Sequence, residues 1–195
     1  MKTLIFFFLA CQVTFAQKNK SKTVDELKPL GRAKLIQMAV ERIQSGYPQF
    51  DPKNFDRVNV YVDGSRLIVR FDVAVKFIPK NTCAYYTVVA ELTRRSLGMI
   101  PFGDVEKCTK ENFFVPDQQS NNHIELIKKK LPGLIPDEVG KDEEIVIREF
   151  ETYYSVGMEG SSYSHGFKLD KTSFRKYDEF DGMKMPYESK MIEIE

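Results

Sequence analysis

The chain reads as an α+β protein with helices packed on antiparallel β-meander sheets, and three features of the sequence predict it. Apolar residues recur at spacings of three and four over residues 33–43, which is the stripe of a surface helix. Alternation of apolar and polar residues then runs from 58 to 92, interrupted by turn residues at 63–64 and 79–81, as in a meander with one buried face. The same succession returns after residue 122, so the second half repeats the first in plan and a helix-plus-meander duplication is a candidate.

The amino end comes first. Lys2 precedes the apolar run 4–10, then Thr14-Phe15-Ala16 places small residues at the two positions a signal peptidase reads, and Gln17 to Lys20 are polar. Residues 1–16 therefore have the form of a secretory signal peptide, too short to span a bilayer. The alternative is a lipoprotein anchored through Cys11, which directly follows Leu9-Ala10; Phe8, where such signals have Leu, favours cleavage after Ala16. The Phe-rich core and closing Ala-Gln resemble signal peptides common in the Bacteroidetes, which implies a secreted or periplasmic protein. Without Cys11 two cysteines remain, Cys83 and Cys108, and an even count in an oxidising compartment predicts a disulfide. Closing a loop of that length contributes about 3 kcal/mol in the chain-entropy model. Basic residues number 29 and acidic residues 28, and Lys2 leaves with the signal, so the mature chain is balanced. Such balance excludes an electrostatic footprint for nucleic acid or an anionic membrane surface.

Residues 17–23 are a polar leader, and 24–110 form the first half. Thr23 and Glu26 stand at capping-box spacing, Pro29 and Gly31 interrupt the turn they open, and a helix is expected from about Leu30 to Ser45 before Gly46 and Pro48. Val58, Val60 and Val62 lead into the Asp63-Gly64 turn, Leu67 to Phe77 make the second strand, and Tyr86 to Leu92 continue the meander after Pro79-Lys80-Asn81. Gly98, Pro101, Gly103 and Pro116 make 98–120 read as a connection, with 111–120 the link between halves. In 121–195, Asn122 caps a helix presenting Ile124, Ile127 and Leu131, which Pro132-Gly133 stops. A strand from about Ile145 to Val156 is expected next, then one through Tyr163 to Leu169, with short strands near 174–180 and 190–194. An echo at an offset of 77 sets Tyr86 on Tyr163 and Leu92 on Leu169.

The stretch from Tyr153-Tyr154-Ser155-Val156 through Phe167-Lys168-Leu169-Asp170-Lys171-Thr172-Ser173-Phe174-Arg175-Lys176 resembles the PepSY pattern of two strands, the second ending in Leu-Asp, then a turn and a further strand. Val88 to Ser96 is a poorer match. The resemblance implies a small exported α+β unit linked with inhibition or regulation of proteases, and it brings no catalytic residue with it. Ser173 stands where the family usually has Gly after the Thr. Cystatin-like and nuclear-transport-factor-like (NTF2-like) folds also set a helix against a curved sheet, and remain alternatives.

The chemistry-bearing residues are sparse. His123 and Glu125 point apart at a helix start, which disfavours a metal pair, and His165 shares a strand face with Tyr163, Phe167 and Leu169, as a half-buried histidine does. Gly157-Met158-Glu159-Gly160-Ser161-Ser162 lacks both the nucleophile-elbow and the phosphate-loop pattern and reads as a hairpin turn. The acidic runs 142–144 and 178–181 lack calcium-loop spacing. No catalytic residue, metal ligand or cofactor site is therefore assigned. Nine tyrosines include the adjacent pairs 85–86 and 153–154, each expected to place one ring on either sheet face, and Tyr61 and Tyr85 are a candidate partner surface. The function expected is exported, non-catalytic binding or regulation through a protein partner; the alternative is a small-ligand binder or hydrolase with a pocket between helix and sheet.

Overall fold

Thr23 begins the first helical turn by accepting the Glu26 amide while the Glu26 carboxylate takes the Thr23 amide, the reciprocal capping box its spacing predicts. That turn, α1 (Val24–Leu27), runs through a short 3₁₀ segment with Pro29 into α2 (Gly31–Gly46), one residue from the expected bounds. The computed structural model describes residues 21–109, 118–141, 143–160, 163–183 and 191–195. The signal segment with Cys11, residues 111–117 of the expected link, and Ser161-Ser162 lie outside the described residues. No helix among the described residues is long and apolar enough to cross a membrane.

Among the described residues, ten strands follow in two five-stranded sheets. They are β1 (Arg57–Asp63), β2 (Arg66–Asp72), β3 (Val75–Ile78), β4 (Cys83–Glu91), β5 (Ser96–Gly103), β6 (Glu144–Glu149), β7 (Tyr153–Glu159), β8 (Tyr163–Asp170), β9 (Lys176–Met183) and β10 (Ile192–Glu193), with α3 (Gln118–Lys130) between β5 and β6. The first sheet has the order β10-β1-β2-β4-β5 and the second β3-β6-β7-β8-β9. All pairings are antiparallel except β3 with β6, so the molecule is α+β with antiparallel meanders. Each meander is flanked, beside its first strand, by a strand from the other half of the chain: β10 on β1, β3 on β6.

The two meanders share their register. Val60 opposite Val69 in β1–β2 corresponds to Ile147 opposite Val156 in β6–β7, 87 positions on. Across the next interface, Val69 opposite Ala90 corresponds to Val156 opposite Phe167, so β4 maps on β8 at the offset of 77. The difference is the excursion over residues 73–82 that delivers β3 to the other sheet. Both meanders also carry a register shift between third and fourth strand, at Tyr85/Thr87 and at Gly166/Lys168.

Each sheet buries one face under its helix. Leu35, Ala39 and Ile43, one stripe of α2, are fully buried with Leu27 against Val60, Leu67, Val69, Phe71, Val88 and Ala90. Burial of each large aliphatic side chain there contributes about 1.5–3 kcal/mol. The second core gathers Ile127 of α3 with Phe77, Ile145, Ile147, Tyr154, Val156, Phe167 and Leu169. On the other face Ile78, Tyr86 and Val146 pack together where the sheets meet.

Five expectations are corrected. The strand expected to run unbroken from Leu67 to Phe77 divides at 73–74: the Asp56 carboxylate takes the Ala74 amide at 2.9 Å, and β3 leaves for the second sheet. Alternation persists because both sheets demand one apolar face. Residues 96–103, expected to be mostly connection, form β5; Pro101 is tolerated because β5 is an edge. Gly103, at φ +97°, is required there, since a Cβ would strike the Thr82 carbonyl. The single strand expected over 145–156 is the hairpin β6–β7, closed by Phe150 N donating to Tyr153 O at 2.9 Å. Finally, α3 starts at Gln118, before Asn122, and β10 returns to the first sheet, Ile194 N donating to Val60 O at 2.9 Å.

Candidate functional site

A cleft of 760 Å³ lies where the two units meet. The first unit supplies Lys53, Asn54, Asp56 and Arg57 from the entry to β1; the second supplies Ser120, Asn121, Ile124 and Lys128 from one face of α3 and the loop 136–139. Val73 to Val75, Phe77 and Tyr86 complete it, so the β3 crossover is part of its lining. The volume is in the range of ordinary ligand pockets.

Long-range polar bonds hold these walls. The Arg57 guanidinium donates to four carbonyls of the segment before β6: Val139 at 2.9 Å, Gly140 at 2.7 Å, Lys141 at 3.3 Å, and Glu143. One side chain of β1 thus fixes a loop of the other unit, and its five N–H groups suit such a fork better than an ammonium does. Asp56 steers the chain into β3 through Ala74. Lys76, fully buried, lies with its ammonium against Glu144 of β6 and 3.3 Å from Asp72 of β2. Asp72 also accepts from Thr87 Oγ1 at 2.6 Å and Arg70 at 2.8 Å. The network spans both sheets and neutralises its charges locally, as burial of ions demands. Next to it the Tyr86 hydroxyl donates to the Phe77 carbonyl.

A second cluster lies on the far side of α3. His123 stacks on Phe77 with centroids 4.7 Å apart and meets Tyr154 edge-on at 6.4 Å. Lys171 rests over the Tyr154 ring and pairs with Glu149 at 2.7 Å. Burial pushes the Glu149 carboxyl up, but its bonds with the Lys171 ammonium and the Lys80 amide outweigh that and leave it below the usual range. Burial raises the Tyr154 phenol. These groups join α3 to the sheet, and of them only Phe77 also borders the cleft.

The residues singled out in the sequence are dispersed. Cys83 and Cys108 are bridged, with Cα atoms 5.0 Å apart, tying the start of β4 to the segment after β5. Tyr61 lies half-buried on the outer face of β1, near Arg70 and Asp63, whereas Tyr85 packs against the first core; the fold sets them on opposite faces of one sheet. Both tyrosine pairs divide between faces: Tyr86 and Tyr153 point away from the cores that take Tyr85 and Tyr154. His165 is half-buried beside Phe167 and pairs with Asp181 of β9. Among the described residues no group of three His, Cys, Asp or Glu is close enough to hold a metal ion.

Sequence reasoning missed Arg57, Lys76, Asn121 and Lys128. Arg57 and Lys76 fell in the polar phase of strand alternation and read as solvent-facing. Apart from Asp72, four residues before Lys76, their partners are 68–86 residues away, and only the fold reveals them. The one local signal was Asp56 beside Arg57 after a Pro52-Lys53-Asn54 turn. No family model, curated protein or solved structure matches the chain.

Proposed function

We propose that the chain is an exported, non-catalytic binding protein that receives a segment of a protein partner in the cleft between its two units. The observation that supports this most is where the concavity lies. The interfaces of α2 and α3 with their sheets are filled by buried side chains, so the hollow is at the junction of the units. Its lining brings both signs of charge, Lys53 and Lys128 with Asp137 and Glu138, around the apolar side chains of Val75, Phe77 and Ile124. Peptide segments carry that mixture; export rests on the signal-like residues 1–16.

Asn121 is exposed and lines the cleft, so Asn121→Trp fills the hollow without disturbing either core. Immobilised mature protein should capture a partner from envelope extract that the N121W form loses at unchanged unfolding temperature. Equal capture by both forms defeats the reading. A protease as the captured partner is the outcome that the PepSY resemblance implies; a different protein leaves binding standing without that resemblance. The volume also suits a small ligand, and a thermal shift given by an envelope metabolite fraction but by no peptide favours that second reading.

A further inference from the structure

We infer that the cleft selects a segment carrying a basic side chain, which the carboxylates of Asp137 and Glu138 hold on a lip that Arg57 keeps in position. The inference rests on the proposal that the cleft is where a partner segment binds.

The lip is anchored at both ends. Leu134 and Ile135 are buried in the second core and Val139 packs against it, so residues 136–138 are a short span between fixed points. Pro136, Asp137 and Glu138 are exposed and border the cleft. Just beyond them the Arg57 guanidinium takes the carbonyls of Val139 at 2.9 Å and Gly140 at 2.7 Å. Gly140 N donates to the Glu143 carboxylate at 3.1 Å and Glu143 N to the Gly140 carbonyl at 3.0 Å, which closes the loop on itself. A lip so held loses little freedom when a ligand arrives, and that favours binding.

What the lip lacks is a counter-charge. Asp137 and Glu138 make no hydrogen bond or ion pair through their side chains among the described residues. The neighbouring carboxylates are occupied, Asp56 by the Ala74 amide and Glu143 by the Gly140 amide. The Arg57 donors go to carbonyls, which leaves both lip carboxylates open to a cation from outside.

The helix side of the cleft gives an independent sign of a ligand. Ser120 borders the cleft and is only 3% exposed, yet its hydroxyl has no hydrogen-bond partner among the described residues. A hydroxyl so buried normally has one, and leaving it without one is costly. The Asn121 carboxamide next to it is likewise without a partner there. Both groups donate and accept, as a peptide unit requires. Lys53, on the first unit's side, is unpaired too, so the segment that suits all these groups carries a basic and an acidic residue about one main-chain unit held at Ser120 and Asn121.

The test uses the mature protein and a random heptamer library displayed on phage, followed by affinity measurement with the enriched peptide. Enriched sequences should share a Lys or Arg, with an Asp or Glu in the same heptamer. D137N/E138Q removes both lip charges from exposed positions; it should weaken the enriched peptide about tenfold and leave unchanged an analogue with Gln for the basic residue. D137K/E138K should invert the preference, so that a peptide with Glu in that place binds better than the parent, which a merely disturbed fold would not do. Arg57→Lys keeps the charge and loses the fork, and should shrink the affinity ratio of parent to Gln analogue to about twofold. That ratio is read on one protein at a time, so a smaller folded fraction does not alter it. N121W should abolish binding of every peptide. Binding that N121W abolishes but D137N/E138Q and D137K/E138K leave untouched overturns the lip reading and spares the cleft; a ratio unchanged in R57K overturns the part given to Arg57. A peptide indifferent to N121W overturns both readings, as does a library that yields no binder.

Discussion

Lys76 is fully buried between Asp72 and the partly exposed Glu144, and its removal leaves two carboxylates with one neighbour fewer in a largely buried site. Breaking one side of a buried network costs more than deleting the whole. Lys76→Ala should therefore destabilise the protein by about 3–5 kcal/mol in urea unfolding, and the triple replacement D72N/K76M/E144Q should recover most of that loss. A stability loss of about 1 kcal/mol or less for K76A alone contradicts the account. Lys76 also shows why residue-scale reasoning from sequence fell short. Its place in the alternation Val75-Lys76-Phe77 is that of a solvent-facing residue, and its face is buried because β3 belongs to a sheet whose outer side meets the other unit at Ile78, Tyr86 and Val146. Position in a strand gives the face; only the partner sheet gives its burial.

Among the elements, α2 and the β1–β2 hairpin were legible because local chemistry determines them: a stripe at helical spacing, and Asp63-Gly64 with Gly64 at φ +59°. β5 was not, since Pro101 with Gly98 and Gly103 marks a loop unless a neighbouring strand supplies the pairing. The cleft was still less legible, because its lining comes from five separate segments. The cysteine bridge is the exception, a long-range contact read from compartment and count alone. It fastens the end of β5, where Asp104 N donates to Thr82 O at 2.8 Å and Gly103 fits under the Thr82 carbonyl. Cys108→Ser should lower stability by about 3 kcal/mol by the loop-entropy estimate, and amide exchange should quicken most over residues 103–107. Exchange that quickens uniformly across both sheets counts against a local fastening role.

For the whole molecule the decisive feature is the reciprocal gift of strands, β3 to the second sheet and β10 to the first. Two meanders in the same register are joined by these strands, by the Arg57 fork and by the Lys76 network, so neither sheet is complete without residues of the other half. Chemical denaturation should accordingly give one transition, with far-ultraviolet circular dichroism and tyrosine fluorescence coincident, although the plan has two units. Two separated transitions are the result that denies the coupling. The repetition visible in the register is one of plan, and the exchanged strands tie its two halves together.

The same exchange orders events in time. A chain emerging from its amino end presents β1 early, but the strand that covers the free side of β1 lies at residues 192–193, and the partner of β3 lies at 144–149. Each first-made edge must therefore remain unpaired while most of the chain is still to come, a closure across many residues that slows folding. Under the export proposed above this delay would be an advantage, because no complete sheet forms behind the leading segment. The same delay leaves two bare edges exposed at once, and that interval is when an attendant chaperone would have most to protect.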